Sequence, residues 1–145
     1  MQGIKRKVVY VSVFEAIAIV VCSLGFAALS DRSLGHASVL SVATSVVAVL
    51  WNFFFTMMFE AWEARQTVRG RNVARRMAHA AIFEAGLVIL LVPLIAWWLE
   101  VSLLRALVMD LGLAAFFLAY TFVFNWCFDR VFGLPASAAP APSQP

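Results

Sequence analysis

Apolar residues run along this chain in four long blocks, near 8–29, 38–59, 77–99 and 106–128, and do not gather on one face of a shorter element. Each block has about the 20 residues that a helix needs to cross the hydrocarbon of a bilayer. None leaves a polar face wide enough for a water-soluble bundle, and each holds at most one acidic side chain away from its ends. The pattern predicts an all-α membrane protein of four transmembrane helices. Lys5, Arg6 and Lys7 precede the first block as they would in a signal peptide. That block is too long for a signal sequence and contains Glu15, so no cleavage is expected.

Composition supports lipid as the solvent. The chain is 63% apolar and only 13% charged, with 13 Phe and 5 Trp, which would leave a soluble globule of this length with too much exposed apolar surface. The basic residues then set an orientation. Lys5, Arg6, Lys7, Arg65, Arg69, Arg71, Arg75, Arg76 and Arg130 fall on one side, and only Arg32 and Arg105 on the other. The positive-inside rule puts both termini in the cytoplasm. On the far side the loops near 30–37 and 100–105 are short, so each closes an antiparallel hairpin. Residues 135–145, rich in Pro and Ala, read as a disordered cytoplasmic tail.

The two hairpins are copies. Shifting the chain by 69 positions lays Lys7 on Arg76, Tyr10 on His79, Phe14-Glu15 on Phe83-Glu84, Phe55 on Phe124, and Phe59-Glu60 on Phe128-Asp129. An offset that spans two helices keeps both halves in the same orientation, a parallel repeat. The expected units are therefore 1–68 and 69–134, followed by the tail 135–145.

Glu15 lies on the order of 12 Å below the membrane boundary at 1.5 Å per residue, and Glu84 repeats it. An ionised carboxylate at that depth costs several kcal/mol unless it holds a proton, pairs with a cation or faces a wet cavity. An intramembrane acid that recurs at one repeat position points to function more than to packing. In helix two, Ser41, Ser45, Ala48, Asn52 and Thr56 form a seam of small and polar residues. Helix four carries Asp110, Ala114, Phe117, Thr121 and Asn125 at the same spacing. For Asn52 and Asn125, a role beside the glutamates and a role in packing stand level. Asp110 near the outer end of helix four is either a cation station or an interfacial acid favoured by the helix N-terminus. Glu60 and Asp129 end their helices on the cytoplasmic side, where pairing with Lys7 and Arg76 is the expected structural role. Trp51, with Phe53, Phe54 and Phe55, is either part of an aromatic belt or the wall of a pocket for organic cations. His79 stands where the first repeat has Tyr10, which fits an anchor better than a proton relay. Cys22 and Cys127 read as small buried residues, not as a disulfide. The sequence holds no phosphate loop, no metal-ligand cluster and no nucleophile beside a base, so neither enzyme nor cofactor is expected. The Arg-rich loop reads as an anchor at anionic lipid, not a nucleic-acid site.

Several stretches together resemble a known family. They are Arg76-x-x-His79-Ala80-x-x-Phe83-Glu84 in helix three, Trp51-Asn52-x-x-Phe55-Thr56-x-x-Phe59-Glu60 in helix two, and Tyr120-Thr121-x-x-Phe124-Asn125-Trp126-x-x-Asp129 in helix four. These are similar to the signatures of the proteobacterial antimicrobial compound efflux family, built of tandem bacterial transmembrane pair domains. The resemblance spans Lys5 to about Phe132 and implies a proton-coupled exporter in the inner membrane of a Gram-negative bacterium. It implies chlorhexidine, other organic cations and short-chain diamines as substrates, Glu15 as the essential acid, and Asp110 as a motif aspartate. Lys7, Tyr10 and Thr56 depart from the family pattern, where Arg, His and Asn are usual.

The expectation is thus an antiporter in which a proton on Glu15 exchanges for a cationic substrate. Protons, cationic small molecules and lipid are its partners, and a homodimer enlarges the cavity. A small multidrug-resistance-like pump and a non-transporting membrane subunit are the alternatives. The strong charge bias favours one fixed orientation over the first of these.

Overall fold

The structure is a computed structural model that describes residues 2–68, 70–135 and 138. Apart from Pro135 and Ala138, the expected tail lies outside the described residues. Four helices follow one another: α1 (Gly3–Ser30), α2 (Leu34–Ala64), α3 (Val73–Leu99) and α4 (Leu103–Phe132). All four are long and apolar enough to span a membrane.

Each helix outruns its apolar block. Hydropathy marks only the stretch inside hydrocarbon, whereas caps decide where a helix begins. Ser33 and Ser102 each accept a hydrogen bond from the backbone N–H three residues on, that of His36 and Arg105. Those caps start α2 and α4 well before the blocks predict and shrink the connecting turns to 31–33 and 100–102. Asn72 caps α3 in the same way, taking the Arg75 N–H at 2.8 Å. At their other ends α1 and α3 stop at Asp31 and Glu100, both with φ of 54°. A non-glycine residue pays a steric cost in that left-handed region. Here the same cost recurs at positions 69 apart, and Arg32 bridges the two turns by pairing with Glu100.

The repeat reappears throughout the packing. Tyr120 Oη donates to the Phe14 carbonyl at 2.9 Å, and Trp51 Nε1 donates to the Phe83 carbonyl at 3.0 Å; donors and acceptors alike are 69 positions apart. At the short-loop end, Arg105 donates to the Leu29 carbonyl at 2.5 Å, and His36 Nε2 lies 2.8 Å from the Trp98 carbonyl. The aromatic clusters match as well. Tyr10 meets Phe124 and Phe128 edge-on at 5.2 and 5.1 Å, while His79 meets Phe55 and Phe59 at 4.9 and 4.6 Å. Every one of these contacts joins a helix of one hairpin to a helix of the other, so the hairpins are locked along two seams, α1–α4 and α2–α3.

The seams differ in tightness. Gly86 on α3 has no side chain, and the Trp51 ring occupies the space where one would stand. Close backbone approach follows, as small residues permit in membranes. The opposite seam has Tyr120 for Trp51 and Ile17 for Gly86, and α1 and α4 are the more loosely packed pair. The densest core lies at the short-loop end, where Ala37, Leu40, Ile95, Leu99 and Ala106 are completely or almost completely buried. Elsewhere most apolar side chains point outward, as lipid-facing residues do.

Two sequence expectations need correction here. Asp129 pairs with Arg6 of the other hairpin at 2.6 Å, not with Arg76 of its own. One residue turns a helix by about 100°, and it is Arg6 that faces α4, buried and stacked 4.9 Å from the Phe128 ring. Nor do Glu60 and Lys7 pair. Arg71 instead reaches Glu63 at 3.0 and 3.1 Å, and Arg76 donates to the Arg71 carbonyl. Among the described residues neither Lys7 nor Glu60 enters an ion pair. Cys127 is exposed, unlike the buried Cys22, and both thiols are free.

Candidate functional site

A cavity of about 480 Å³ opens between the two hairpins. Glu15 from α1, Glu84 from α3 and Asp110 from α4 all line it, together with Ser41, Thr44, Ser45 and Asn52 from α2. Leu113, Ala114, Phe117 and Thr121 of α4 form the facing wall. Four of the residues singled out in the sequence, Glu15, Glu84, Asn52 and Asp110, thus share one space. The three-and-four spacing on α2 and α4 is the reason, since it keeps Ser41, Ser45, Ala48 and Asn52 on one stripe opposite Asp110, Ala114, Phe117 and Thr121.

Ser45 donates its hydroxyl to Glu15 Oε2 at 2.7 Å and fixes the depth of that carboxylate. Asn52 sits farther along α2, exposed, with its Oδ1 accepting from Thr56 at 3.4 Å. Asp110 is about one helical turn nearer the short-loop end than the position matching Ser45. It is only 3% exposed, and its Oδ2 is buried without a hydrogen-bond partner among the described residues. Its repeat counterpart is Ser41, equally buried, whose hydroxyl is satisfied by the Ala37 carbonyl. None of the lining residues is basic. Three carboxyl groups therefore share a confined space without a protein cation, and an unsatisfied buried carboxylate oxygen carries a large desolvation cost. Protons or a bound cation can relieve it.

Trp51 and Asn125 do not reach the cavity. Trp51 is turned into the α2–α3 seam by its bond to Phe83, so it is neither a belt residue nor a pocket wall. Asn125 instead accepts the Tyr10 hydroxyl at 2.5 Å. His79 packs among Phe55, Phe59 and Phe83 as an aromatic plug matching Tyr10. Sequence reading missed Arg6, Tyr120 and Thr44. The repeat offset carried a signal for Tyr120, which falls on Trp51; for Arg6 and Thr44 only helix orientation distinguishes them from neighbours. Among the described residues no His, Cys, Asp and Glu cluster could hold a metal ion.

Four membrane-spanning helices around a cavity lined by three acidic residues define a small multi-pass membrane protein. Comparison with known proteins agrees. The model of the chlorhexidine efflux transporter family, the bacterial transmembrane pair, matches twice in tandem, over residues 2–65 and 71–134, and the chain belongs to that family. It is 33% identical over 127 residues to the short-chain diamines transporter of Acinetobacter baylyi, covering 88% of this chain and 89% of that one. It is 30% identical over 126 residues to the protein of the same name in Vibrio parahaemolyticus, covering 87% and 89%. The Acinetobacter baumannii counterpart is 32% identical over 127 residues, with 88% of each chain covered. No solved structure gives a significant match. Family membership sets aside both the small multidrug-resistance-like pump and the non-transporting subunit.

Proposed function

We propose that this protein is a proton-coupled antiporter that exports cationic biocides of the chlorhexidine kind and short-chain diamines. The observation that carries the reading is the cavity lined by Glu15, Glu84 and Asp110 with no basic residue to neutralise them. Either protons or a positively charged guest must offset the acids, and the two compete for the same oxygens. Glu15 is the exchanging group, held by Ser45; Glu84 and Asp110 suit the second charge of a dication. The serine, threonine and asparagine side chains of α2 can share hydrogen bonds with ammonium or biguanide N–H groups. The family's description supplies the first substrate class and the names of the relatives the second.

The transporter sits in the inner membrane with both termini in the cytoplasm, as the nine-to-two division of basic residues supports. Its units are the hairpins 1–68 and 69–134, and it works as a homodimer, which widens the space available to bulky substrates. Proton entry from outside recharges Glu15 and expels the cation.

Substrate-induced proton release from the purified protein in weakly buffered detergent tests this. Chlorhexidine added to the wild type should acidify the solution, and Glu15→Gln should remove both that signal and efflux. An undiminished proton signal or full efflux in Glu15→Gln would eliminate the scheme.

A further inference from the structure

A second cavity, of about 510 Å³, lies in the α1–α4 seam toward the short-loop end. Val21, Gly25, Phe26, Val108, Gly112 and Phe116 shape it, and Arg105 is the one charged residue lining it, at its outer end. It exists because the repeat breaks there. Gly25 matches Leu94 and Gly112 matches Ala43 in the α2–α3 seam, so two side chains present there are missing here. Neither glycine has an atom within 4 Å of where a Cβ would stand.

This space adjoins the acidic cavity, because Cys22 and Leu113 line both. The junction carries a further sign of a ligand. Met109 faces the groove and the next residue, Asp110, faces the acidic cavity with its unpartnered buried Oδ2. A cation held on that carboxylate would have apolar shelter in the groove beside it.

We propose that the groove between α1 and α4 is an apolar subsite that takes the hydrophobic arm of a large organic cation whose charged group lies on Asp110 and Glu15. This rests on the cation-exchange reading above and divides its substrates into two kinds. A bis-biguanide with aryl ends uses both the acidic cavity and the groove. A short diamine has no apolar arm and uses the acidic cavity alone. The groove opens toward lipid, since Val108 is 63% exposed, so the arm enters from the membrane side.

The test fills the groove with the side chains that the other seam already carries. Full-length Gly25→Leu/Gly112→Ala protein in detergent is titrated calorimetrically with chlorhexidine and with 1,4-diaminobutane. Chlorhexidine affinity should fall by about tenfold or more, the effect of losing one buried apolar group, while diamine affinity stays within about twofold of wild type. Equal loss of both ligands, or no loss of either, overturns the subsite and marks the groove as a place for lipid or a second copy. The milder Gly25→Ala/Gly112→Ala protein guards against misfolding; it should show the same split in smaller measure, and absence of a split overturns the proposal again. Wild-type protein that binds neither ligand would bring down the cation-exchange reading itself. Binding of both by the wild type with no split in the variants would bring down the subsite alone.

Discussion

Gly86 offers the sharpest check on how the two hairpins are held together. A methyl group at this position collides with the six-membered ring of Trp51, and a rigid indole cannot fold out of the way as a flexible chain would. Trp51 must rotate off α3, and its Nε1 bond to the Phe83 carbonyl goes with it. Overpacking of this kind costs about 1–3 kcal/mol, and the lost hydrogen bond adds about 1 kcal/mol. Gly86→Ala should therefore destabilise the protein by about 2–4 kcal/mol, seen as a lower thermal midpoint in detergent. The other seam supplies the rescue. There Tyr120 makes the matching bond to Phe14 with Ile17 in the place of glycine, so a tyrosine tolerates a side chain opposite it. Adding Trp51→Tyr to Gly86→Ala should restore most of the loss, whereas adding Trp51→Phe should restore the space but not the bond. A neutral Gly86→Ala, or a double variant no better than the single one, would refute the reasoning.

Three further outcomes follow from the same geometry. Arg6→Ala should cost about 1–3 kcal/mol, below the value for a fully buried pair because the Asp129 side chain is 37% exposed, while Lys7→Ala should stay within about 0.5 kcal/mol; denaturation of the two variants in one detergent separates them. Asp110→Ser copies the satisfied Ser41 and removes an unpartnered carboxylate oxygen, so it should raise the thermal midpoint, by about 1–3 kcal/mol of stability, while weakening dication binding in calorimetry. Under the proposed exchange of protons and substrate on the cavity acids, chlorhexidine affinity should fall as the pH is lowered, and a flat profile would contradict that exchange.

The sequence made four helices, the duplication and the acidic residues legible, because span length, a recurring offset and a charge in hydrocarbon are each properties of the chain alone. It was less informative about direction around a helix. Arg6 and Lys7 are indistinguishable as neighbours in a basic run, yet only Arg6 faces α4. Trp51 reads as belt or as cavity wall, and its place in the seam is set by Gly86, a residue 35 positions away that no local pattern connects to it. Helix ends were misplaced for a similar reason: Ser33 and Ser102 look like loop residues until their side chains accept the first backbone donors. Asp110 was read either as an interfacial acid or as a cation station. Its near-complete burial and its place in the acidic cavity favour the second, and burial depends on neighbours that the spacing of α4 does not reveal.

Where the repeat holds and where it fails follow a physical division. Contacts that recur at the offset of 69 are scaffold: the turn caps, the aromatic clusters and the paired bonds to Phe14 and Phe83. Several positions that differ line the two cavities, beside the recurring Glu15 and Glu84. Ser41, Thr44, Ser45 and Asn52 on α2 face Asp110, Leu113, Ala114 and Thr121, their repeat partners on α4, so one wall offers hydroxyl and amide groups and the other mostly apolar surface with a single acid. Two identical hairpins would give two identical walls and a symmetric guest site. Divergence gives a cavity that can hold a charged group against one wall and hydrocarbon against the other, with the opening at Gly25 and Gly112 extending the apolar side. A duplicated scaffold thus keeps the helices in register while its substitutions suit the interior to the amphipathic cations proposed above, and exchanging the α2 and α4 wall residues between repeats should preserve folding while altering the balance between diamine and biguanide binding.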